Sequence, residues 1–296
     1  LNWAMAAPTA ALKRWLAALQ CDNSQGEYYL TDVVAMAVAE GMHVMTAQPA
    51  SDTEVLGVNS PVQLADLERR YQRARAESLM EAGVRLADPA RFDVRGELVC
   101  GRDVVIDPDV IFEGVVHLGD RAHIGAFTLI RNTLIGADTV VHPHCLLEDG
   151  IVGPRCEIGP YARMRPGVEM AEGSKLGNFV EVKKSIIGRG SKVNHLTYIG
   201  DTTIGEKVNV GAGTITCNYD GFDKYRTTIG EDAFIGSDTA LVAPVKVGDR
   251  AYTGSGSVIT KDVPDDALAV ARGRQHVLEG WAKKFRDKKG KAKEAK

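Results

Sequence analysis

The chain has 296 residues, 44% of them hydrophobic and 25% charged, enough to bury a substantial core in one or two domains. A formal net charge of −3 argues against any bulk electrostatic grip on nucleic acid or an anionic membrane. The 31 glycines, beside only 6% aromatic residues, point to a repeat fold built on tight turns.

Cys21, Cys100, Cys145, Cys156 and Cys217 are scattered, with no C-x-x-C pair. They suggest neither a zinc knuckle nor a disulfide framework, and indicate a reducing, cytoplasmic compartment. No apolar run approaches the length of a membrane span and no secretory pattern opens the chain. The first residue is Leu1, as in a piece of a longer protein.

Residues 1–60 mix helix and loop. Ala10 to Leu19 and Thr31 to Glu40 read as helices, the second with Thr31 or Asp32 as its N-cap. This zone is too short for a complete α/β domain and reads as the tail of one. Residues 61–84 form a linker helix: Ser60-Pro61 starts it, and Leu64, Leu67, Tyr71 and Ala74 recur at three- and four-residue spacing until Gly83. Its charged face (Glu68, Arg69, Arg70, Arg73) reads as solvated.

Over residues 88–272 the pattern changes to aliphatic-Gly pairs. They run from Leu118-Gly119, Ile124-Gly125 and Ile135-Gly136 to Ile229-Gly230, Ile235-Gly236 and Val247-Gly248, at spacings dominated by multiples of six. This is the hexapeptide repeat of a parallel β-helix, in which three short strands make one triangular coil of about eighteen residues. The aliphatic residue of each hexad should point inward while small residues turn the corners. Residues 273–296 form a tail containing Trp281 and a Lys-rich run from Lys283 to Lys296. That run reads as solvated disorder, with ligand phosphates the minor alternative.

The period makes positions computable. Arg165 and Lys183, eighteen apart, should stack on one face roughly 4.8 Å apart, a close pair of cations suited to a phosphate. The competing reading is two solvated residues relieved by Glu169, Glu172 or Glu181. His195 falls twelve residues after Lys183 on another face, out of reach of that column within one subunit. Trimers of three-faced prisms would place sites in the clefts between subunits. Ser237 and Ser255 are again eighteen apart among small neighbours. They form either a groove for an extended ligand arm or ordinary corner packing. Between Ala212 and Arg226 the repeat breaks into a polar loop, where function tends to sit. Cys217 within it reads as a buried inert thiol more than a reactive one.

The motifs Gly211-Ala-Gly-Thr-Ile-Thr-Cys-Asn-Tyr-Asp-Gly221, Arg163-Met-Arg-Pro-Gly167, Gly177-Asn-Phe-Val-Glu-Val-Lys-Lys184 and His195-Leu-Thr-Tyr-Ile-Gly200 give the sequence its family likeness. The chain resembles, over nearly its whole length, the bacterial bifunctional N-acetylglucosamine-1-phosphate uridyltransferase / glucosamine-1-phosphate N-acetyltransferases. Gln25-Gly-Glu-Tyr-Tyr-Leu-Thr-Asp32 and Gly57-Val-Asn59 are similar to the end of that family's uridyltransferase domain.

The resemblance implies a mainly β, left-handed parallel β-helix, preceded by a connecting helix and a remnant of an α/β nucleotidyltransferase domain. It implies acetyl transfer from acetyl-CoA to the amine of glucosamine 1-phosphate. The product would serve UDP-N-acetylglucosamine, and through it peptidoglycan and lipopolysaccharide synthesis. It implies a homotrimer with sites between subunits. His195 would be the general base. Arg165, Lys183, Tyr198 and Asn209 would hold the sugar phosphate. Ala212, Asn218, Tyr219, Ser237, Ser255 and Arg272 would line the acetyl-CoA site, with Lys224 near its phosphates and the backbone N–H of Tyr219 at the developing oxyanion. Ser255 stands where the family usually has Ala.

Asn59 matches a position serving the sugar nucleotide and Mg2+ in the uridyltransferase half. The family's nucleotide-cradling loop L-A-A-G-x-G-T-R-M does not occur in the sequence, so uridyl transfer is not expected of this chain. Residues 1–7 depart from the family's E-x-N-[ST]-G pattern and read as a ragged end. Three rival readings stay open. They are a related acyltransferase with another acceptor, a zinc hydrase using the H-x-H of His142 and His144, and a non-catalytic trimerising β-helix.

Overall fold

The computed structural model describes residues 4–22 and 24–294, with side chains to residue 288. The ragged-end reading at Leu1–Trp3 and the last residue, Lys296, therefore lie outside the described residues, whereas the rest of the Lys-rich tail, expected as solvated disorder, is a helix over Trp281–Glu294. The chain divides into two compact units, Leu1–Ala74 and Arg75–Lys296.

In the first unit, α1 (Thr9–Ala18) and α2 (Asp32–Ala39) bury Ala11, Trp15, Val33 and Ala37 against one another. Glu40, at the C-terminal end of α2, is held by α1. It accepts hydrogen bonds from Trp15 Nε1 and Arg14 Nη2, each at 2.9 Å. The Trp15 N–H, with help from Arg14, holds the Glu40 carboxyl below its usual range. The expected cap at Thr31 does not form: its backbone is already helical and no side-chain bond caps the helix. No strand occurs among the described residues of this unit.

Helix α3 (Pro61–Glu81) begins where Ser60-Pro61 predicts. Ser60 Oγ accepts the Gln63 N–H at 3.2 Å, and Gln63 Oε1 accepts the Asn59 N–H at 2.7 Å, so the first turn is closed from both sides.

The second unit is a left-handed parallel β-helix in which every strand pair is parallel. Its interior is the column of hexad aliphatics. Ile106, Ile124, Ile158, Leu176, Ile187, Ile199, Ile204 and Ile229 are each buried to 1% exposure or less. Each such side chain contributes on the order of 1.5–3 kcal/mol of hydrophobic stabilisation.

The glycines after these aliphatics answer close approach, and mostly do not turn the corners. A Cβ on Gly177 would overlap the carbonyl of Asn194 one rung away, and one on Gly188 that of Gly205. The corner itself falls two residues later, on a left-handed residue that is often not glycine: Arg121, Asp138 and Arg155 on one edge, Phe127, His144, Tyr161, Phe179 and Leu196 on another. Left-handed backbone costs a non-glycine residue on the order of 1–2 kcal/mol, so these positions are held by the rungs around them. The expectation that small residues turn the corners is corrected accordingly. Successive rungs also return after 17 residues as often as 18: His123 pairs with Val140 and Val140 with Glu157, then Glu157 with Lys175.

Candidate active site

His195 sits on the strand Lys192–Gly200, at the position just before the left-handed corner residue Leu196. Every rung on this edge has an equivalent position, and following it along the prism assembles a column. Asn178 is the registered partner of His195 on one side. On the other side the Gly213 N–H donates to the His195 carbonyl, the Asp238 N–H to that of Ala212, and the Gly256 N–H to that of Ser237. Asn178, His195, Ala212, Ser237 and Ser255 therefore lie in sequence along one edge, at about 4.8 Å per rung. Arg272 closes the far end, its Nη1 donating to the Ser255 carbonyl at 2.8 Å. His195, Ser237 and Ser255 are exposed and Ala212 is half-buried. The stretch beyond His195 is thus an open lane of small side chains.

A second cluster lies at the next corner. Arg163 and Met164 register with Glu181 and Val182, which sets Arg165 beside Lys183. Arg165 Nη1 is 3.0 Å from Glu181 Oε1, so this cation has the acidic partner that the solvated reading required. Lys183 does not share that relief. Its pKa is held below the ordinary value of 10.5, first by Lys224 alongside it, then by loss of hydration and by Arg165, with Asp201 acting in the opposite sense. Like charges this close are relieved by a bound anion.

Lys224 arrives there because residues 218–226 leave the prism as a small hairpin. Thr202 pairs with Thr227 across this excursion, a far longer return than on neighbouring rungs. Asp220 Oδ1 accepts the N–H groups of Phe222 and Asp223, both at 2.8 Å, which tightens the turn. The bonds Tyr225 N–H to Asn218 C=O and Asp220 N–H to Asp223 C=O flank the antiparallel pair Tyr219–Lys224. In that arrangement the N–H of Tyr219 turns out of the hairpin.

Asn218, buried at the hairpin's base, donates from Nδ2 to Asp201 Oδ2 at 2.5 Å. Tyr198 lies on the same strand as His195, as the registered partner of Glu181. Gly200, opposite Lys183 in the register, makes room for these groups. A Cβ there would come within 2.5 Å of Tyr198 Oη and 2.7 Å of Asn218 Nδ2.

The structure thus gathers Arg165, Lys183 and Tyr198 as the sequence predicts. Two of the residues expected at the acetyl-CoA site, Asn218 and Lys224, lie beside this cation cluster. Asn209 does not join it within the chain, being registered with Lys192 and Phe234 on another face. His195 is also apart from it, roughly 16 Å away along the strand to Gly200. Sequence reasoning missed Asn178, Asp201 and Gly200.

Of the remaining candidates, Asn59 lies outside this unit, its N–H held by Gln63. Among the described residues no group of three or more His, Cys, Asp and Glu side chains could hold a metal ion. His142 and His144 do not converge. His142 Nε2 lies 2.9 Å from Glu157 Oε1, while His144 stacks between Phe127 and Tyr161 at 4.9 and 4.8 Å. Burial pushes the thiols of Cys100 and Cys145 up to about 11, which leaves them unreactive at neutral pH. Among the described residues no helix is long and apolar enough to cross a membrane.

Residues 226–261 match the family model described as bacterial transferase hexapeptide (six repeats). Curated relatives include the bifunctional protein GlmU of Methylibium petroleiphilum, 61% identical over 277 residues that make up 94% of this chain and 60% of that protein. That of Aromatoleum aromaticum is 58% identical over 97% of this chain and 63% of its own length. The chain spans about three fifths of the length of these relatives. Among solved structures, a UDP-N-acetylglucosamine acyltransferase from Arabidopsis overlays with a TM-score of 0.47 at 15% identity, covering 68% of this chain and 75% of that one. The acetyltransferase domain of PglB from Neisseria gonorrhoeae, in complex with acetyl coenzyme A, gives 0.37 at 23% identity, covering 42% and 58%. Along the length it spans, the chain is similar to the bifunctional GlmU proteins.

Proposed function

We propose that this chain transfers the acetyl group of acetyl-CoA to the amine of glucosamine 1-phosphate. The observation that carries this reading is the pairing of two features at the two edges of one prism face. One is an exposed histidine at the head of a lane of small residues. The other is a cluster of three cations with too little acidic relief.

The acceptor amine is an ammonium at neutral pH and cannot attack until it loses a proton. His195, exposed at the corner, is suited to take it at Nε2, because an imidazole is the side chain that exchanges protons near neutral pH. The free amine then attacks the thioester carbon, forming the C–N bond. Negative charge grows on the carbonyl oxygen, where the outward N–H of Tyr219 is a suitable donor. Collapse breaks the C–S bond: the CoA sulfur leaves with the proton returned from the imidazolium, and the nitrogen sheds its second proton to water as the amide forms, so one proton is released per turnover. The phosphate of the acceptor is matched by Arg165, Lys183 and Lys224, a planar fork and two point charges. The acyl donor's arm is matched by the lane through Ala212, Ser237 and Ser255, with Arg272 at its end.

Because His195 and the cation cluster lie at different corners of one chain, the reading includes a homotrimer in which neighbouring subunits complete each site. Asn209, on a third face, would act from such a neighbour. The product would be N-acetylglucosamine 1-phosphate, feeding UDP-N-acetylglucosamine and through it peptidoglycan and lipopolysaccharide. An acetyl-CoA donor and free cysteines are in keeping with a cytoplasmic location. Residues 1–60 are read as the end of a nucleotidyltransferase domain. The test offers glucosamine 1-phosphate and glucosamine separately with acetyl-CoA and follows thiol release. Strong preference for the phosphorylated sugar is expected, and equal rates on both would overturn the reading.

A further inference from the structure

The column that carries His195 continues one rung in the direction away from the small-residue lane, to Asn178. His195 Nδ1 lies 2.7 Å from Asn178 Oδ1. An amide oxygen only accepts, so this contact requires the proton on Nδ1 and leaves the lone pair on Nε2. The geometry is enforced by the fold. Gly177 packs flat against the next rung, Phe179 is locked in a left-handed corner, and the register sets Asn178 directly opposite His195.

The neighbouring rungs bring Asn178 and Phe179 on one side and Ala212 and Gly213 on the other, none of them charged. A carboxylate at 178 would fix the same tautomer, but it would also stabilise the imidazolium and raise the histidine's pKa. The neutral amide orients the ring without that penalty.

We infer that Asn178 is a positioning residue, which sets the tautomer and ring orientation of His195 so that Nε2 faces the reacting groups as the base. The inference rests on the acetyltransferase reading for its kinetic consequence, but its structural core can be tested without turnover.

The experiment uses the full chain labelled with 15N-histidine, as wild type, Asn178→Ala and Asn178→Asp. In the wild type, long-range 15N–1H spectra should show His195 as the Nδ1–H tautomer. Asn178→Ala should lose that preference. Its kcat should fall by roughly tenfold or more while KM for both substrates stays near the wild-type value. Asn178→Asp should keep the tautomer and move the acidic limb of the kcat/KM profile to higher pH. An unchanged tautomer in Asn178→Ala, or an unmoved acidic limb in Asn178→Asp, overturns the inference. If the wild type transfers no acetyl group, the functional reading fails, and the spectra alone then decide the role of Asn178.

Discussion

Lys224 reaches from the 218–226 hairpin to the side of Lys183, and this proximity is the largest cause of the depressed pKa of Lys183. Two ammonium groups brought together by separate parts of the chain repel one another, and a doubly charged anion between them converts the repulsion into attraction. Lys224→Ala should therefore raise KM for glucosamine 1-phosphate by about 10–100-fold, the range of a charged hydrogen bond worth about 1.5–3 kcal/mol. KM for acetyl-CoA should barely move. Steady-state kinetics with each substrate varied in turn checks the split. A rise confined to acetyl-CoA would return Lys224 to the donor's phosphates.

The same pair sets a pH dependence of stability. A lysine whose folded pKa lies below its unfolded value of 10.5 binds fewer protons when folded. Its contribution is unfavourable at neutral pH and is relieved as pH rises from the lowered folded pKa towards 10.5. Inorganic phosphate should therefore raise the melting temperature of the wild type at pH 7. Its effect should shrink as pH climbs through that window and be much smaller in Lys183→Ala. Thermal scans across pH, at constant ionic strength, give the comparison.

His195→Ala removes the group assigned to take the ammonium proton. It is exposed, so its loss leaves the aliphatic core intact. Turnover should drop by on the order of 10²-fold or more at neutral pH, with the melting temperature unchanged. The deficit should narrow at alkaline pH, where the amine deprotonates without help. Thiol release measured from pH 7 to 9.5 reads both effects. Unchanged turnover would favour the reading of a non-catalytic trimerising scaffold.

The lane of small residues makes a separate prediction. Ser255 follows Ser237 by one rung, and neither has a large side chain between it and solvent. Ser255→Trp should fill the groove and raise KM for acetyl-CoA by tenfold or more, on the order of the 1–3 kcal/mol that overpacking costs. Affinity for the sugar phosphate should be retained. Isothermal titration with CoA, and separately with glucosamine 1-phosphate, distinguishes a blocked donor site from a damaged fold.

Much of this arrangement was legible in the residues. Burial of Ile124, Ile158, Leu176 and Ile199 follows directly from the hexad spacing, because a period that fixes which side chain faces in fixes the fold. Adjacency of Arg165 and Lys183 follows as well. Two things did not follow. A strict eighteen-residue period hides Asn178 from His195, since the rung between them is 17 residues long. The missing residue is lost at a different corner, between Val182 and Ile186: Met164 registers with Val182 eighteen residues on, whereas Glu169 registers with Ile186 seventeen on, and no side-chain signature marks the change. The course of the hairpin was equally hidden. Asp220 folds it back through backbone contacts, and this carries Lys224 to Lys183. The cap at Thr31 failed for a related reason: the helical turn had already begun there, so its hydroxyl had no free N–H to take.

The division of labour between corners yields the sharpest test of a shared site. If His195 of one subunit serves the Arg165–Lys183–Lys224 cluster of a neighbour, His195→Ala and Lys183→Ala disable different halves of each site. Mixed trimers must then contain some sites built from two intact halves. In a random equimolar mixture, the intact histidine comes from a Lys183→Ala subunit half the time. The intact lysine comes from a His195→Ala subunit half the time. About a quarter of the sites should therefore regain wild-type composition. Unfolding and refolding the two inactive variants together should restore about a quarter of wild-type thiol release, whereas each refolded alone stays inactive. Recovery near zero would mean that both halves come from one chain, which the roughly 16 Å between His195 and Gly200 on their common strand argues against.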